Sequence, residues 1–196
     1  MRQSLWSRIR CQCGTSLLET MFVVAIGATV GAVGVAQTNN VRRSMQGDGA
    51  MRLVMGQLAR AQQLAIQQRR NIEVQFVGGS WMKVVRHELN GSLTTLTSVS
   101  LESGMQFQLV NNVPDTPDAF GNGAALAFGA ATQILFTSDG LLVDQNGNPL
   151  NGTVFLSAGG QLSSLRAVTI MGNTGRVRGY KAAANAAGNF VGWNKV

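Results

Sequence analysis

The chain has 196 residues, 45% hydrophobic and only 13% charged, with a formal net charge of +7. That length supports one domain with a fair core, and so few charges leave a surface that is largely uncharged and polar. The 24 glycines favour turns and β-rich structure over a helical bundle.

The first 14 residues carry Arg2, Arg8 and Arg10 and no acid. Without them the chain keeps 13 basic against 9 acidic residues, a mild +4 and a weak pointer to a polyanion partner. Both cysteines, Cys11 and Cys13, lie in the same stretch. A C-x-C pair with no second pair and no nearby His is no metal site, and no cysteine remains elsewhere to form a disulfide.

An apolar run follows. From Leu17 to Ala36 it has 20 residues, about 30 Å as a helix, which matches a bilayer's hydrocarbon layer. The basic front and apolar run fit a secretory signal peptide. Polar "QTNNVRR" then stands where a small-residue cleavage site is needed, so the run reads as a transmembrane helix that stays. Glu19 lies inside it with no Lys or Arg to compensate. Ser16-Leu17-Leu18-Glu19 matches the capping box, in which Glu reaches back to the helix's first amide. That reading explains the acid as helix punctuation. It leaves Gly14 and the basic leader unexplained.

Gly14-Thr15-Ser16-Leu17-Leu18-Glu19 followed by an apolar run resembles the class III signal of type IV pilins and pseudopilins. The resemblance implies that a prepilin peptidase cuts between Gly14 and Thr15, and that the new Thr15 amine is methylated. Glu19 then becomes the fifth mature residue, as that family requires. Thr15 stands where the family usually has Phe. A lone carboxylate in lipid is costly and seeks a partner. A neighbouring subunit's Thr15 ammonium at the same depth supplies one, which makes Glu19 the residue that sets filament register.

Gly27, Gly31 and Gly34 interrupt the run, each at about 1 kcal/mol relative to Ala, and Gly27-x-x-x-Gly31 permits close helix packing. Beyond "QTNN", Met51, Val54, Met55, Leu58, Ala61 and Ala65 recur at helical spacing. No proline precedes Pro114, so one helix is expected from about Leu17 to Arg70, with its second half lying on a β head.

From Asn71 the period becomes two. "NIEVQFV", "SWMKVVR", "LTTLTSVSL" and "MQFQLV" read as strands, with turns at Gly78-Gly79 and Asn90-Gly91. Residues 111–132, rich in Gly, Asn, Pro and Ala, read as a long loop. "QILFT", "TVFLS", "RAVTIMG" and "RVRGYK" complete the head. The expected class is α+β, a long N-terminal helix packed on a mainly antiparallel β head. The expected divisions are a cleaved leader at 1–14, a transmembrane and filament-core helix at 15–38, an amphipathic helix at 39–71 and the head at 72–196.

No P-loop, H-E-x-x-H or dinucleotide fingerprint occurs. The single histidine, His87, has no Asp–Ser constellation near it and reads as the surface end of a strand. Asp144–Pro149 faintly resembles a calcium loop, but Gly147 comes too early and Phe155 stands where the twelfth-position Glu belongs. A tight turn on Asn146-Gly147 is the better reading. The chain is therefore expected to be no enzyme and to need no metal or cofactor.

Phe136, Gly140, Arg166, Gly175, Arg176 and Arg178 resemble the pattern of the GspH/FimT branch of pilin-like proteins. The resemblance implies a minor pilin or pseudopilin, single-pass in the bacterial inner membrane, with a periplasmic or extracellular head. Its partners are then other major and minor pilins or pseudopilins, the prepilin peptidase and the inner membrane. Some members of this branch bind double-stranded DNA through a C-terminal GRxR motif, the alternative reading for Gly175-Arg176-Val177-Arg178. On a strand, Arg176 and Arg178 share a face about 6.5–7 Å apart, a spacing suited to adjacent phosphates, with Lys181 as a candidate extension. Alternatively the two arginines flank a core Val177 on a solvated strand. Trp81 and Trp193 read as packing residues.

Overall fold

Helix α1 spans Leu17–Gln68, two residues short of the expected end at Arg70. Arg69 adopts a left-handed conformation (φ 49°). Its amide returns to Ile66 O at 3.4 Å and that of Arg70 to Ala65 O at 3.2 Å. This is a Schellman termination with arginine where glycine is usual. The computed structural model describes residues 16–129, 133–144, 146–185 and 187–196, without the side chains of 33–37. Gly14 and Thr15 lie outside the described residues.

The chain forms two compact units, Met1–Asn39 and Asn40–Val196. In the first, the described apolar side chains from Leu17 to Val30 are exposed. Among the described residues no helix is long and apolar enough to cross a membrane. The described side chains of the apolar run stop at Ala32, short of its end at Ala36.

Among the described residues of the second unit, eleven strands form two antiparallel sheets. The first contains β1 (Ile72–Val77), β2 (Trp81–His87), β3 (Leu93–Ser100), β6 (Gln133–Phe136) and β7 (Leu142–Val143), in the order β3-β2-β1-β6-β7. The second contains β4 (Met105–Phe107), β8 (Gly152–Ala158), β9 (Arg166–Met171), β10 (Arg176–Ala184) and β11 (Phe190–Lys195), in the order β11-β10-β9-β8-β4. Strand β5 (Leu126–Ala127) also pairs with β8, so the segment read as loop contributes a short strand. Strands β7 and β11 lie outside the segments expected to be strands.

The expected stripe of α1 is the core's spine. Met51, Val54, Leu58, Ala61 and Ala65 are buried, Ala50 joins them, and Met55 is half-buried. They pack in one cluster with Ile72, Val74, Ile134 and Phe136 of the first sheet and Val154, Leu156, Val168 and Ile170 of the second. Two glycines allow the close approach. A Cβ on Gly47 would lie 2.5 Å from Ser164 O, and one on Gly179 would lie 2.9 Å from the Sδ atoms of Met51 and Met55. A smaller cluster of Phe155, Ala167 and Tyr180 packs with Leu109 and Trp193. Tyr180 and Arg178 share one face of β10 with even-numbered spacing, opposite the helix-facing Gly179.

Candidate functional site

Glu19 lies in the first turn of α1 and is exposed. Among the described residues it makes no hydrogen bond or ion pair, and the reciprocal capping-box bonds with Ser16 are absent. The first turn is closed by Thr20 N to Ser16 O at 3.1 Å and Thr20 Oγ1 to Leu17 O at 2.8 Å.

The GspH/FimT-pattern residues have distinct structural roles. Arg166 is fully buried at the start of β9. Its Nε donates to Asp48 Oδ1 at 2.6 Å. Nη1 donates to Ser163 O at 3.2 Å and Leu165 O at 2.8 Å. Nη2 donates to Ser44 O at 2.8 Å and Ser44 Oγ at 3.0 Å. All three nitrogens are thus engaged, as a buried guanidinium requires. The arrangement fastens the 44–48 turn of α1 to the head. Sequence reasoning singled out Arg166 but missed Asp48, its partner 118 positions away.

Phe136 is buried in the core. Gly140 and Gly175 hold left-handed turns (φ 80° and 62°) against Gln62 of α1. The Gln62 amide nitrogen donates to Gly140 O at 2.9 Å and to Thr174 O at 3.0 Å. A side chain on Gly175 would collide with that amide. The glycine of the GRxR motif therefore has a structural reason to be there.

The three candidate DNA contacts do not form one patch. Arg176 is exposed at the start of β10, with no hydrogen bond or ion pair from its side chain among the described residues. Arg178 lies on the same face, half-buried. Its Nη1 donates to Asp118 Oδ1 at 2.6 Å, while Thr169 Oγ1 and Tyr180 OH donate to Asp118 Oδ2 at 2.6 and 2.9 Å. Lys181 is on the opposite face, registered with Arg166 across the β9–β10 pair. Its Nζ donates to Ser44 Oγ at 3.0 Å and lies 3.7 Å from Asp48 Oδ2.

Charge follows geometry around Asp118. Burial pushes its carboxyl up, but the hydroxyls of Thr169 and Tyr180 and the Arg178 guanidinium outweigh this and hold it below the usual Asp range. Facing Asp118 raises Arg178 above the ordinary arginine value. Burial, then the bond to Asp118, pushes the Tyr180 phenol up. Asp118, in the glycine- and proline-rich segment, was another residue that sequence reasoning missed.

His87 ends β2, as expected, with Nε2 2.8 Å from Oε2 of the buried Glu73. Gln75 Nε2 donates to Glu73 Oε1 at 2.7 Å. Glu73 and His87 line a cleft of about 270 Å³ with Gln133, Ile134, Leu135, Val143 and Asp144. Among the described residues that line it there is no serine, threonine or cysteine. Among the described residues no three His, Cys, Asp or Glu side chains are grouped to hold a metal. Asp144 instead organises its own turn, accepting the amides of Asn146 and Asn148 at 2.8 and 2.9 Å. Bonding to the Asn148 amide is the largest influence holding its carboxyl below the usual range.

Residues 50–175 match the family described as "Type II transport protein GspH". No curated protein matches the chain. Among solved structures, the chain is similar to the type IV minor pilin FimU of Pseudomonas aeruginosa, with 18% identity over 74% of this chain and 91% of FimU, at a TM-score of 0.46. It is also similar to the minor pseudopilin EpsH from the type 2 secretion system of Vibrio cholerae, with 15% identity over 68% of this chain and 95% of EpsH, at a TM-score of 0.46. The family match spans well over half of the chain, from the buried stripe of α1 to the turn before β10, and on it this chain belongs to the GspH family of minor pseudopilins and pilins.

Proposed function

We propose that this protein is a minor subunit of an envelope-spanning pilus or pseudopilus, made as an inner-membrane precursor. Prepilin peptidase trims it after Gly14, and Thr15 becomes its methylated first residue. The 15–38 segment crosses the membrane and later packs in the filament core, while the head stands in the periplasm or outside. Neighbouring pilins or pseudopilins are its partners, and as a minor subunit it initiates or caps assembly.

The observation that carries this reading is Glu19. It is a solitary exposed acid at the head of an exposed apolar helical stretch, without a partner among the described residues. A charge so placed is costly in lipid unless another chain answers it, and a neighbour's Thr15 ammonium has the right sign. Glu19→Ala or Glu19→Gln is expected to leave membrane insertion intact and abolish incorporation into filaments. Fractionation followed by immunodetection of sheared filaments measures both. Normal incorporation of either variant would overturn the register role.

A second reading, a DNA contact for uptake, rests on Arg176. This exposed guanidinium, without a partner among the described residues, shares a face with Arg178 on β10. Phosphate contact there would be sequence-independent and salt-sensitive.

A further inference from the structure

A second cleft in the head, of about 720 Å³, is walled by three turns. They are residues 110–114, beyond β4, residues 160–162, beyond β8, and residues 188–190, at the start of β11. Its volume falls within the ~300–1,000 Å³ usual for ligand clefts. Among the described residues that line it none is charged, in a chain of net charge +7. Its polar side chains are the amides of Asn111, Asn112, Gln161 and Asn189, and Phe190 is its aromatic ring. We propose that this cleft binds a neutral oligosaccharide, with the amides on the sugar hydroxyls and the Phe190 ring against a sugar's C–H face. The proposal goes beyond the filament role and does not depend on it.

The chemistry of the lining selects this class of ligand. A side-chain amide both donates and accepts, and so does a hydroxyl. Each amide can therefore serve a sugar hydroxyl in either sense. None of the four amides makes a hydrogen bond among the described residues, because other side chains hold the turns. Gln108 Oε1 accepts the Gly160 amide at 3.1 Å. Ser164 Oγ donates to Gln161 O at 2.8 Å and accepts the Ala158 amide at 2.9 Å. Asn185 Oδ1 accepts the Asn189 amide at 2.9 Å, and Trp193 Nε1 donates to Pro114 O at 3.1 Å. All three walls are thus set before a ligand arrives, which lowers the ordering cost of binding, and the four amides are surplus to the fold.

The ring is anchored as well. Phe190 is half-buried and meets Trp193 edge-on at 5.5 Å, and Trp193 in turn meets Phe155 at 6.1 Å. A fixed aromatic surface beside polar groups suits a ligand that is apolar on one side and hydroxylated on the other. The absence of charge among the described lining residues argues against a polyanion, which calls for Lys or Arg. An extended peptide draws on a row of open main-chain groups at a sheet edge, whereas here three turns present side-chain amides.

The test uses the purified full-length chain in a detergent without a sugar headgroup, with chitotetraose and maltotetraose as probes in titration calorimetry. At least one of them is expected to bind with a Kd of about 0.1–1 mM, the affinity of a few neutral hydrogen bonds and one ring face. Gln161→Ala/Asn189→Ala is expected to weaken binding about tenfold at an unchanged melting temperature, since neither side chain holds the fold. Phe190→Leu, which keeps apolar bulk beside Trp193 but removes the ring, is expected to weaken it about fivefold. An about tenfold rise in salt is expected to leave the affinity unchanged. Preference for chitotetraose assigns the site to acetamido sugars, and preference for maltotetraose assigns it to plain hexoses. No binding of either probe at about 10 mM, binding that survives both variants, or equal binding of a neutral Gly-Ser peptide would overturn the sugar site.

Discussion

Arg166→Met in the full chain is expected to lower the unfolding free energy by about 3–5 kcal/mol, the usual cost of deleting one partner from a buried, hydrogen-bonded ion pair. The side chain is completely buried, and its loss takes the guanidinium donors from Asp48 and Ser163 O, while Leu165 O keeps the Ala182 amide at 3.3 Å. A buried acceptor left unmet costs about 1–3 kcal/mol by itself. Asp48→Asn should cost clearly less, because Asp48 is about a third exposed and asparagine still offers an oxygen to Nε. Denaturant titration reads both, as a fall in midpoint at unchanged slope. A loss under about 1 kcal/mol for Arg166→Met would show that the guanidinium does not fasten α1 to the head.

Leu58→Ala is the second large effect, expected to cost about 2–5 kcal/mol through lost burial and the cavity left behind. Leu58 is fully buried in the middle of the helical stripe, in one cluster with both sheets. The surrounding strands cannot collapse into the gap without breaking their own pairing. Gln63→Ala, on the exposed face of the same helix, is the control and should stay within about 0.5 kcal/mol. Equal small effects at the two positions would contradict the assignment of the buried face.

The helix was legible because its signal is local and repeated. A stripe from Met51 to Ala65 recurs at helical spacing, and all of it but Met55 is buried. Its end was misplaced by two residues because Arg69, not glycine, takes the left-handed stop. The strands with alternating or β-branched runs were also legible. Strands β5 and β7 are two residues each, too short to carry a period. Strand β11 contains Gly192 and pairs across an irregularity at Ala183/Ala184, so its pattern is broken.

Site residues divided along a similar line. Gly14, Thr15 and Glu19, on which the proposed processing and register rest, lie within one six-residue stretch of the sequence. Arg166 was visible as a family-pattern residue, but its partners Ser44 and Asp48 are more than a hundred positions away. Asp118 was hidden for the same reason, 60 positions from Arg178 and inside a segment whose composition indicates only a loop. Lys181 could have been placed correctly. It is an odd number of residues from Arg176 and Arg178, so the strand period that pairs those two puts it on the opposite face.

The central claim is that this GspH-family chain is processed as a prepilin and assembled. Intact mass and N-terminal peptide analysis of the protein recovered from its native membrane tests it most directly. The account predicts a mature chain beginning at Thr15 and carrying one added methyl on the new amine. A membrane-bound protein that still begins with Met1 would contradict it, because Glu19 would then have no free neighbouring amine to answer.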